Sequence, residues 1–398
     1  METVVSQKFV FPARLRLLSL IMMGVGLIAL IASFLLYRDD SQRVWSNLLV
    51  ASFFFTGVSL AGTFFLAVNI VGEAGWYTVL RRIPEALGKF MPFGLVALAV
   101  VVITGILGIH KTWIWMDKEV VATDEVVRHK SAYLNVPFFL VRFAAYAAIW
   151  YGFTVIFRRQ SLMDEQLGTL DHYFKMRKYA ATFLVLFAIT SSTSAWDFLM
   201  SIDVHWFSTL FGWYTFAGYW VSGVAVMLLI VIYLKKLGYM PQVNLSHIHD
   251  LAKYLFAFSI FWTYLYFSQF MLYFYANIPE EVVYFIERYD TQYRPLILVM
   301  VALNFVLPLL VLMTRDAKRN YLYTVTIATL VVLGHYLDLY QIVMPGTVGT
   351  NFGLGLPEVG CFLLFTGLFI FAVFRGLEQA NLVPSKATFL DESLHHNY

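Results

Sequence analysis

Residues 321–343, YLYTVTIATLVVLGHYLDLYQIV, form a long apolar run that contains two ionisable side chains, His335 and Asp338. A helical run of this length covers the roughly 30 Å of hydrocarbon in a bilayer, because each helical residue rises about 1.5 Å. His335 and Asp338 are three residues apart and therefore share one face of the helix. An ionisable group in hydrocarbon costs free energy unless it is paired or lines a polar path. The run predicts a membrane helix with a paired or path-lining polar face.

The rest of the chain repeats this apolar pattern. Its 398 residues are 60% hydrophobic and 13% charged, with a mean hydropathy of +0.70, which is far outside the range of a soluble domain. The runs are continuously apolar and lack the alternation of barrel strands, so helices are expected. We predict an all-α polytopic membrane protein in which 1–398 form a single membrane domain. The ten predicted spans are 14–36, 45–71, 91–113, 134–157, 178–202, 207–234, 251–276, 293–313, 321–343 and 357–375.

The segments between the spans are short, which limits the chemistry of this chain. The longest predicted loops, 111–133 and 158–177, are too small for a separate domain. Cys361 is the single cysteine, so the chain cannot hold an iron–sulfur cluster alone. Two histidines within spans, His110 and His335, are too few to hold two haems. The remaining functions are quinone handling, proton translocation or transport of a small solute.

The distribution of basic residues predicts the orientation. If the N-terminus is cytoplasmic, the inner segments hold 19 of the 28 Lys and Arg residues and the outer segments hold eight, with Arg142 left inside a span. The positive-inside rule then places both termini in the cytoplasm. The net charge of +3 is explained by topology and does not indicate nucleic-acid binding.

This orientation puts several polar residues at one level. Asp197 falls roughly 7 to 8 Å below the outer surface of the hydrocarbon, His335 and Arg142 roughly 12 Å below it, and Asp338 about one turn above His335. Arg142 thus has two candidate carboxylate partners. The layer is interpreted either as a structural network between helices or as a proton-release path or ligand pocket. The candidates for a proton path or quinone site are Arg142, Asp197, His335, Asp338, Gln269, His110, Glu358, Ser194 and Tyr336.

A second polar set flanks spans at the predicted cytoplasmic side, after span two and before spans five and seven. We interpret it as a candidate proton entrance. Its members are Glu73, Asp171, His172, His249 and Asp250. The pattern His247-x-His249 is more typical of solvated histidines than of a metal site, because no third ligand is fixed. No metal is expected.

Two segments resemble a known family. Residues 191–218, SSTSAWDFLMSIDVHWFSTLFGWYTFAG, and 255–281, LFAFSIFWTYLYFSQFMLYFYANIPEE, are similar to the ActF subunits of alternative complex III, the bacterial quinol:cytochrome c oxidoreductase. This resemblance implies the NrfD/PsrC-like fold, with two four-helix bundles plus flanking helices. It also implies a paralogous ActC-like membrane subunit and partner subunits that carry iron–sulfur clusters and haem c. Asp203 and His205 join the candidate site on this basis.

The resemblance implies a membrane subunit of a respiratory or photosynthetic quinol:electron-acceptor oxidoreductase in the bacterial cytoplasmic membrane. The expected role is proton translocation, with quinone or menaquinol binding as a further role and with no redox cofactor bound by this chain alone. A secondary transporter of a small solute and a structural scaffold subunit remain the alternatives.

Overall fold

The computed structural model describes residues 8–38, 40–289 and 291–397. Within these ranges, ten helices are long and apolar enough to cross a membrane, as the sequence predicts. We label them α1 to α10. Their bounds are Ala13–Leu36, Gln42–Val71, Thr78–Ile106, Val136–Leu167, Leu170–Ile202, Phe211–Lys236, Leu245–Ala276, Arg294–Val311, Tyr321–Val348 and Leu356–Leu377, in that order.

The helices form two groups of four with two flanking helices. Helices α2 to α5 pack together, and so do α6 to α9, while α2 also contacts α6, α9 and α10 between the groups. Most of α2 is buried inside the protein, because it is surrounded on all sides by other helices. This is the arrangement expected for two four-helix bundles plus flanking helices.

Small residues bring α1 against α10. A Cβ atom at Gly26 would lie 2.4 Å from the backbone nitrogen of Leu364, and one at Gly367 would lie 2.7 Å from the carbonyl oxygen of Ser19. Backbones can approach this closely in a membrane only where side chains are absent, which is the usual use of glycine between membrane helices. The opposite face of α1 presents exposed apolar residues such as Leu17 and Ile28, as a lipid-facing helix should.

Several helices run beyond the predicted spans. The predicted loop 158–177 is wrong, because α4 continues to Leu167 and α5 begins at Leu170. The turn between them contains Gly168 at a φ of 58°, a left-handed conformation that favours glycine. The predicted loop 111–133 contains short helices at Lys118–Thr123 and Glu125–Lys130. Hydropathy missed these ends because they are polar and held by contacts distant in sequence.

Both chain ends lie at the same end of the bundle, where Lys8 and Asn381 form an isolated β-bridge. We call this the terminal end and the other the distal end. The segment after α10 crosses the terminal end and contacts several helices. Thr388 donates to Asp164 of α4 at 3.0 Å, the Ser393 hydroxyl donates to the carbonyl of Trp76 at 2.5 Å, and His396 contacts Asp250 of α7 at 2.6 Å.

One turn of α8 departs from α-helical geometry. Residues Ala302–Val306 form a π-helical turn, and Pro308 follows it. Proline has no N–H to donate to the carbonyl of Asn304, four residues earlier, and its ring crowds that carbonyl. The widened turn places the Asn304 side chain, which is completely buried, against Gly334 of α9.

Candidate functional site

The two ionisable residues of α9 lie in a pocket of aromatic side chains between the helices of the second bundle. Asp338 accepts hydrogen bonds from the Tyr214 hydroxyl of α6 and, at 3.1 Å, from the Trp262 indole N–H of α7. His335 Nδ1 lies 3.8 Å from the same carboxylate, which confirms the shared helix face. Asp338 is thus hydrogen-bonded by neutral donors, and no arginine or lysine contacts it within the described residues.

A small cavity lies on each side of Asp338. The first, towards the distal end, has a volume of about 20 Å³, and Gln269 and Gln341 are among its lining residues. The second, next to His335, also has a volume of about 20 Å³ and is lined in part by Thr215. A water molecule needs roughly 10 to 15 Å³ measured in this way, so each cavity is large enough for about one water.

The polar atoms around these cavities have unused hydrogen-bonding capacity. On the distal side, the side-chain N–H groups of Gln269 and Gln341 are buried and make no hydrogen bond among the described residues. On the other side, the same is true of both ring nitrogens of His335 and the hydroxyl of Thr215. Buried polar groups are normally satisfied by protein or by ordered water. One water in each cavity would bond some of these groups and connect them with Asp338.

Arg288 closes the distal side of the first cavity. It lies on the short helix Pro279–Tyr289, is 5% exposed, and contacts Asp203 at 3.0 Å. The same guanidinium donates to the carbonyl oxygens of Gln341 and Ile342 on α9. Asp203 therefore reaches the candidate site through Arg288, one of the eight basic residues in the predicted outer segments.

Asn304 is a second buried polar residue that is not among the predicted candidates. Its two amide atoms are buried without a hydrogen-bond partner among the described residues, and its oxygen lies next to Gly334, the neighbour of His335 in the chain. A lone asparagine in an apolar span, four residues before a proline, is a signal that could have identified it. Tyr214 and Trp262 carried no such signal, because they differ from packing aromatics only in the direction they face.

Arg142 and Asp197 form a separate ion pair between α4 and α5. Two guanidinium nitrogens donate to the two carboxylate oxygens at 2.7 and 2.8 Å, and the Tyr146 hydroxyl donates to the same carboxylate at 2.6 Å. The guanidinium also lies 3.9 Å from the ring centre of Tyr133 and donates to its carbonyl at 3.0 Å. Every charge in this pair is compensated, as expected for a structural lock between helices.

The residues predicted to form one polar layer divide into separate sets of contacts. Arg142 and Asp197 pair between α4 and α5, whereas His335 and Asp338 face α6 and α7. Phe53 of α2 packs against Phe198, the neighbour of Asp197, and also lines the cavity beside His335. Among the described residues, no hydrogen bond joins the two pairs.

Two further members of the predicted layer make local structural contacts. Glu358 receives two hydrogen bonds from Arg43 at 2.8 Å and one from Asn47 at 2.9 Å, which ties α10 to α2. His110 bonds the carbonyl of Val101 at 3.0 Å and lies outside the helix that it was assigned to, in the distal loop after α3. Burial lowers the pKa of His110, and its Val101 contact opposes that shift only in part.

The other distal candidates also lie away from Asp338. Ser194 donates to the carbonyl of Ser191 within α5. Tyr336 points towards Phe54 and Phe362, and its hydroxyl is buried without a partner among the described residues. His205 contacts Asp124 at 2.7 Å in an exposed distal loop. None of these contacts joins the pocket around Asp338.

The predicted proton-entrance residues at the terminal end form two groups, one around α4 and α5 and one between α7 and the tail. Glu73 pairs with Arg177 at the surface, and His172 contacts the carbonyl of Gln160 at 3.0 Å, while Asp171 is exposed. Buried Asp250 contacts His396 and lines a cavity of about 430 Å³ between α7 and the tail.

His249 is buried beside Asp250, on the same turn of α7. Its environment includes the positive charges of Lys253 and Arg319. Among the described residues, no group of three or more His, Cys, Asp or Glu side chains is placed to hold a metal ion.

The fold and the buried polar pocket define an all-α, multi-pass membrane protein with an internal ionisable pair. No protein-family model matches the chain, and no curated protein matches it either.

Proposed function

We propose that this chain is a proton-conducting membrane subunit of a quinol:electron-acceptor oxidoreductase in the bacterial cytoplasmic membrane. The observation that carries the proposal is the position of Asp338 between two water-sized cavities whose polar linings lack partners. A carboxylate that is held by neutral donors can accept and release a proton, whereas one locked to an arginine cannot do so readily. Asp338 meets this condition, and Asp197 does not.

The proposed path runs between the distal end and the middle of the bundle. A proton on His335 passes through water in the second cavity to Asp338, and then through water in the first cavity towards Asp203 and Arg288. The excess of basic residues at the terminal end supports a cytoplasmic location for that end. Protons would therefore leave on the outer side. Uptake from the cytoplasm is assigned to the cavity that Asp250 and His396 line.

The oxidoreductase part of the proposal rests on the resemblance of residues 191–218 and 255–281 to ActF subunits. Electron transfer would belong to partners with iron–sulfur clusters and haem c, beside an ActC-like membrane subunit. Tagged protein purified from its native membrane in mild detergent should bring haem-bearing partners with it. Stable purification of the chain alone would count strongly against this part.

Quinone binding is a second candidate role, favoured by one observation. An apolar cavity of about 410 Å³ lies between α2, α6, α9 and α10, with Lys236 near one end. It has the volume and lining for an isoprenoid chain. The cavities beside Asp338 are far below the roughly 300 Å³ of a small-molecule pocket, which disfavours a solute or quinone ring there.

The proton path is tested by Asp338→Asn in the assembled complex reconstituted into liposomes. Proton release per electron should fall while quinol oxidation persists, with the proton-transfer step slowed by about 100-fold. Tyr214→Phe, which removes a donor to Asp338, should give a smaller effect, and Tyr336→Phe is its matched control. An unchanged proton stoichiometry in Asp338→Asn would leave the scaffold role as the better explanation.

A further inference from the structure

A network of buried charges lies at the terminal end, between α3 and α4. Arg81 contacts Asp164 at 2.6 Å, and Arg82 contacts Glu85 at 2.8 Å and also Glu165. Arg158 of α4 completes the network, with its guanidinium 2.5 Å from Glu85. Three arginines and three carboxylates are thus matched, and the network is neutral as a whole.

Two cations beside this network pair with no carboxylate among the described residues. Lys89 and Arg159 line a cavity of about 500 Å³ together with Arg158. Neither Lys89 nor Arg159 makes an ion pair with any described residue. Glu85, the one carboxylate that lines the cavity, is already shared by Arg82 and Arg158. The cavity therefore has an excess of positive charge.

Close helix packing holds these groups in place. A Cβ atom at Gly376 would lie 2.6 Å from Cγ of Lys89, so the lysine stem passes directly over this glycine of α10. A Cβ atom at Gly88 would lie 2.3 Å from Cγ2 of Thr154, which brings the start of α3 against α4. Lys89 thus lines a cavity at a place where two glycines let side chains pack closely between the helices.

The opposite half of the cavity is apolar and faces lipid. Pro92, Tyr151 and Val155 line it, and Val155 is 45% exposed. Tyr151 lies eight residues, or about 12 Å, deeper along α4 than Arg159. A charged mouth at the end of the bundle and an apolar trough along the membrane match the two parts of a phospholipid.

We propose that this cavity binds an anionic phospholipid of the leaflet at the terminal end. Its phosphate lies between Lys89 and Arg159, and an acyl chain follows Pro92 and Val155 towards Tyr151. Basic pockets between membrane helices are known to bind such headgroups, with each basic residue near the surface contributing about a fivefold gain in affinity. A neutral phospholipid lacks the charge that the two cations select.

The experiment measures lipid bound to the full-length protein in mild detergent by native mass spectrometry, with added phosphatidylglycerol or phosphatidylcholine. We expect preferential retention of phosphatidylglycerol. The double variant Lys89→Gln/Arg159→Gln should bind it about 25-fold more weakly, from two fivefold losses. Lys175→Gln/Lys178→Gln removes two exposed lysines from the same end and should bind as wild type does.

A second variant tests the apolar half without changing charge. Val155→Trp fills the trough at a lipid-facing position and should weaken phosphatidylglycerol binding in a normally folded protein. Equal retention of phosphatidylcholine by wild type, or unchanged phosphatidylglycerol binding in both the charge and Val155→Trp variants, would overturn the proposal. So would inorganic phosphate that competes as strongly as the lipid, because the site would then bind a free anion.

Discussion

The ion pair between Arg142 and Asp197 allows a quantitative test of the distinction between structural and functional charges. Asp197 is completely buried and receives hydrogen bonds from both Arg142 and Tyr146. Removing one partner of a buried pair costs about 3 to 5 kcal/mol, because the other charge is left uncompensated. Replacing both partners by apolar residues of similar volume is often close to neutral.

The structure also predicts an asymmetry between the two single variants. Asp197→Leu leaves the Arg142 guanidinium buried and charged, since arginine does not deprotonate in proteins, and should cost about 5 kcal/mol. Arg142→Met leaves a carboxyl that can protonate and still has Tyr146 as a partner, so its cost should be nearer 3 kcal/mol, by the same scale. The double variant should cost less than either single one.

The free energies of unfolding can be measured by titrating folded protein in mild detergent with a denaturing detergent and following helix content. The control is Val141→Met. Val141 precedes Arg142 in the sequence, is 65% exposed and faces lipid. Its effect should remain within about 0.5 kcal/mol. Additive costs in the double variant, or a larger cost for Arg142→Met than for Asp197→Leu, would refute the reasoning.

Three other variants test separate features. Gly334→Ala places a Cβ atom 2.1 Å from the Asn304 side-chain oxygen and should cost about 1 to 3 kcal/mol of unfolding free energy, which Asn304→Ala should partly restore. Gly218→Ala places a methyl 3.5 Å from His335, which is an ordinary contact, so the free energy of unfolding should be retained. Proton conduction through the second cavity should fall, because the methyl takes up space there. Unaltered conduction would argue against water in this cavity. Burial raises the pKa of Glu378, but the Phe11 N–H and Arg375 outweigh it, and the pKa lies below its usual value. The ionised Glu378 therefore stabilises the fold fully above about pH 4.3, and this stabilisation is lost as the pH falls through the lower pKa of the folded state. Glu378→Gln should remove this pH-dependent part of the free energy of unfolding, as measured in a stability–pH curve.

The number and position of the membrane helices could be predicted because a long apolar run has few alternatives in a bilayer. The ends of α4 and α5 could not, since their polar turns are stabilised by residues far away in sequence, such as Thr388 against Asp164. Hydropathy measures a local average and does not include such partners.

The part of the candidate site that depends on local helix geometry was predicted, and the part that depends on packing between helices was not. The shared face of His335 and Asp338 follows from helical spacing alone, and the structure confirms it. The pairing of Arg142 with Asp197, and of Asp338 with Tyr214 and Trp262, depends on how each helix is rotated against its neighbours. The rotation of each helix is decided by small differences in packing energy, which cannot be read from a single sequence.

The contacts of the tail have a consequence for biogenesis. Helices α3 and α4 are inserted into the membrane long before the ribosome reaches Thr388 and Ser393, yet these two residues complete contacts with Asp164 and Trp76. During synthesis, the terminal end of the first bundle must therefore wait without these two hydroxyl donors, although its arginines and carboxylates can already pair with one another.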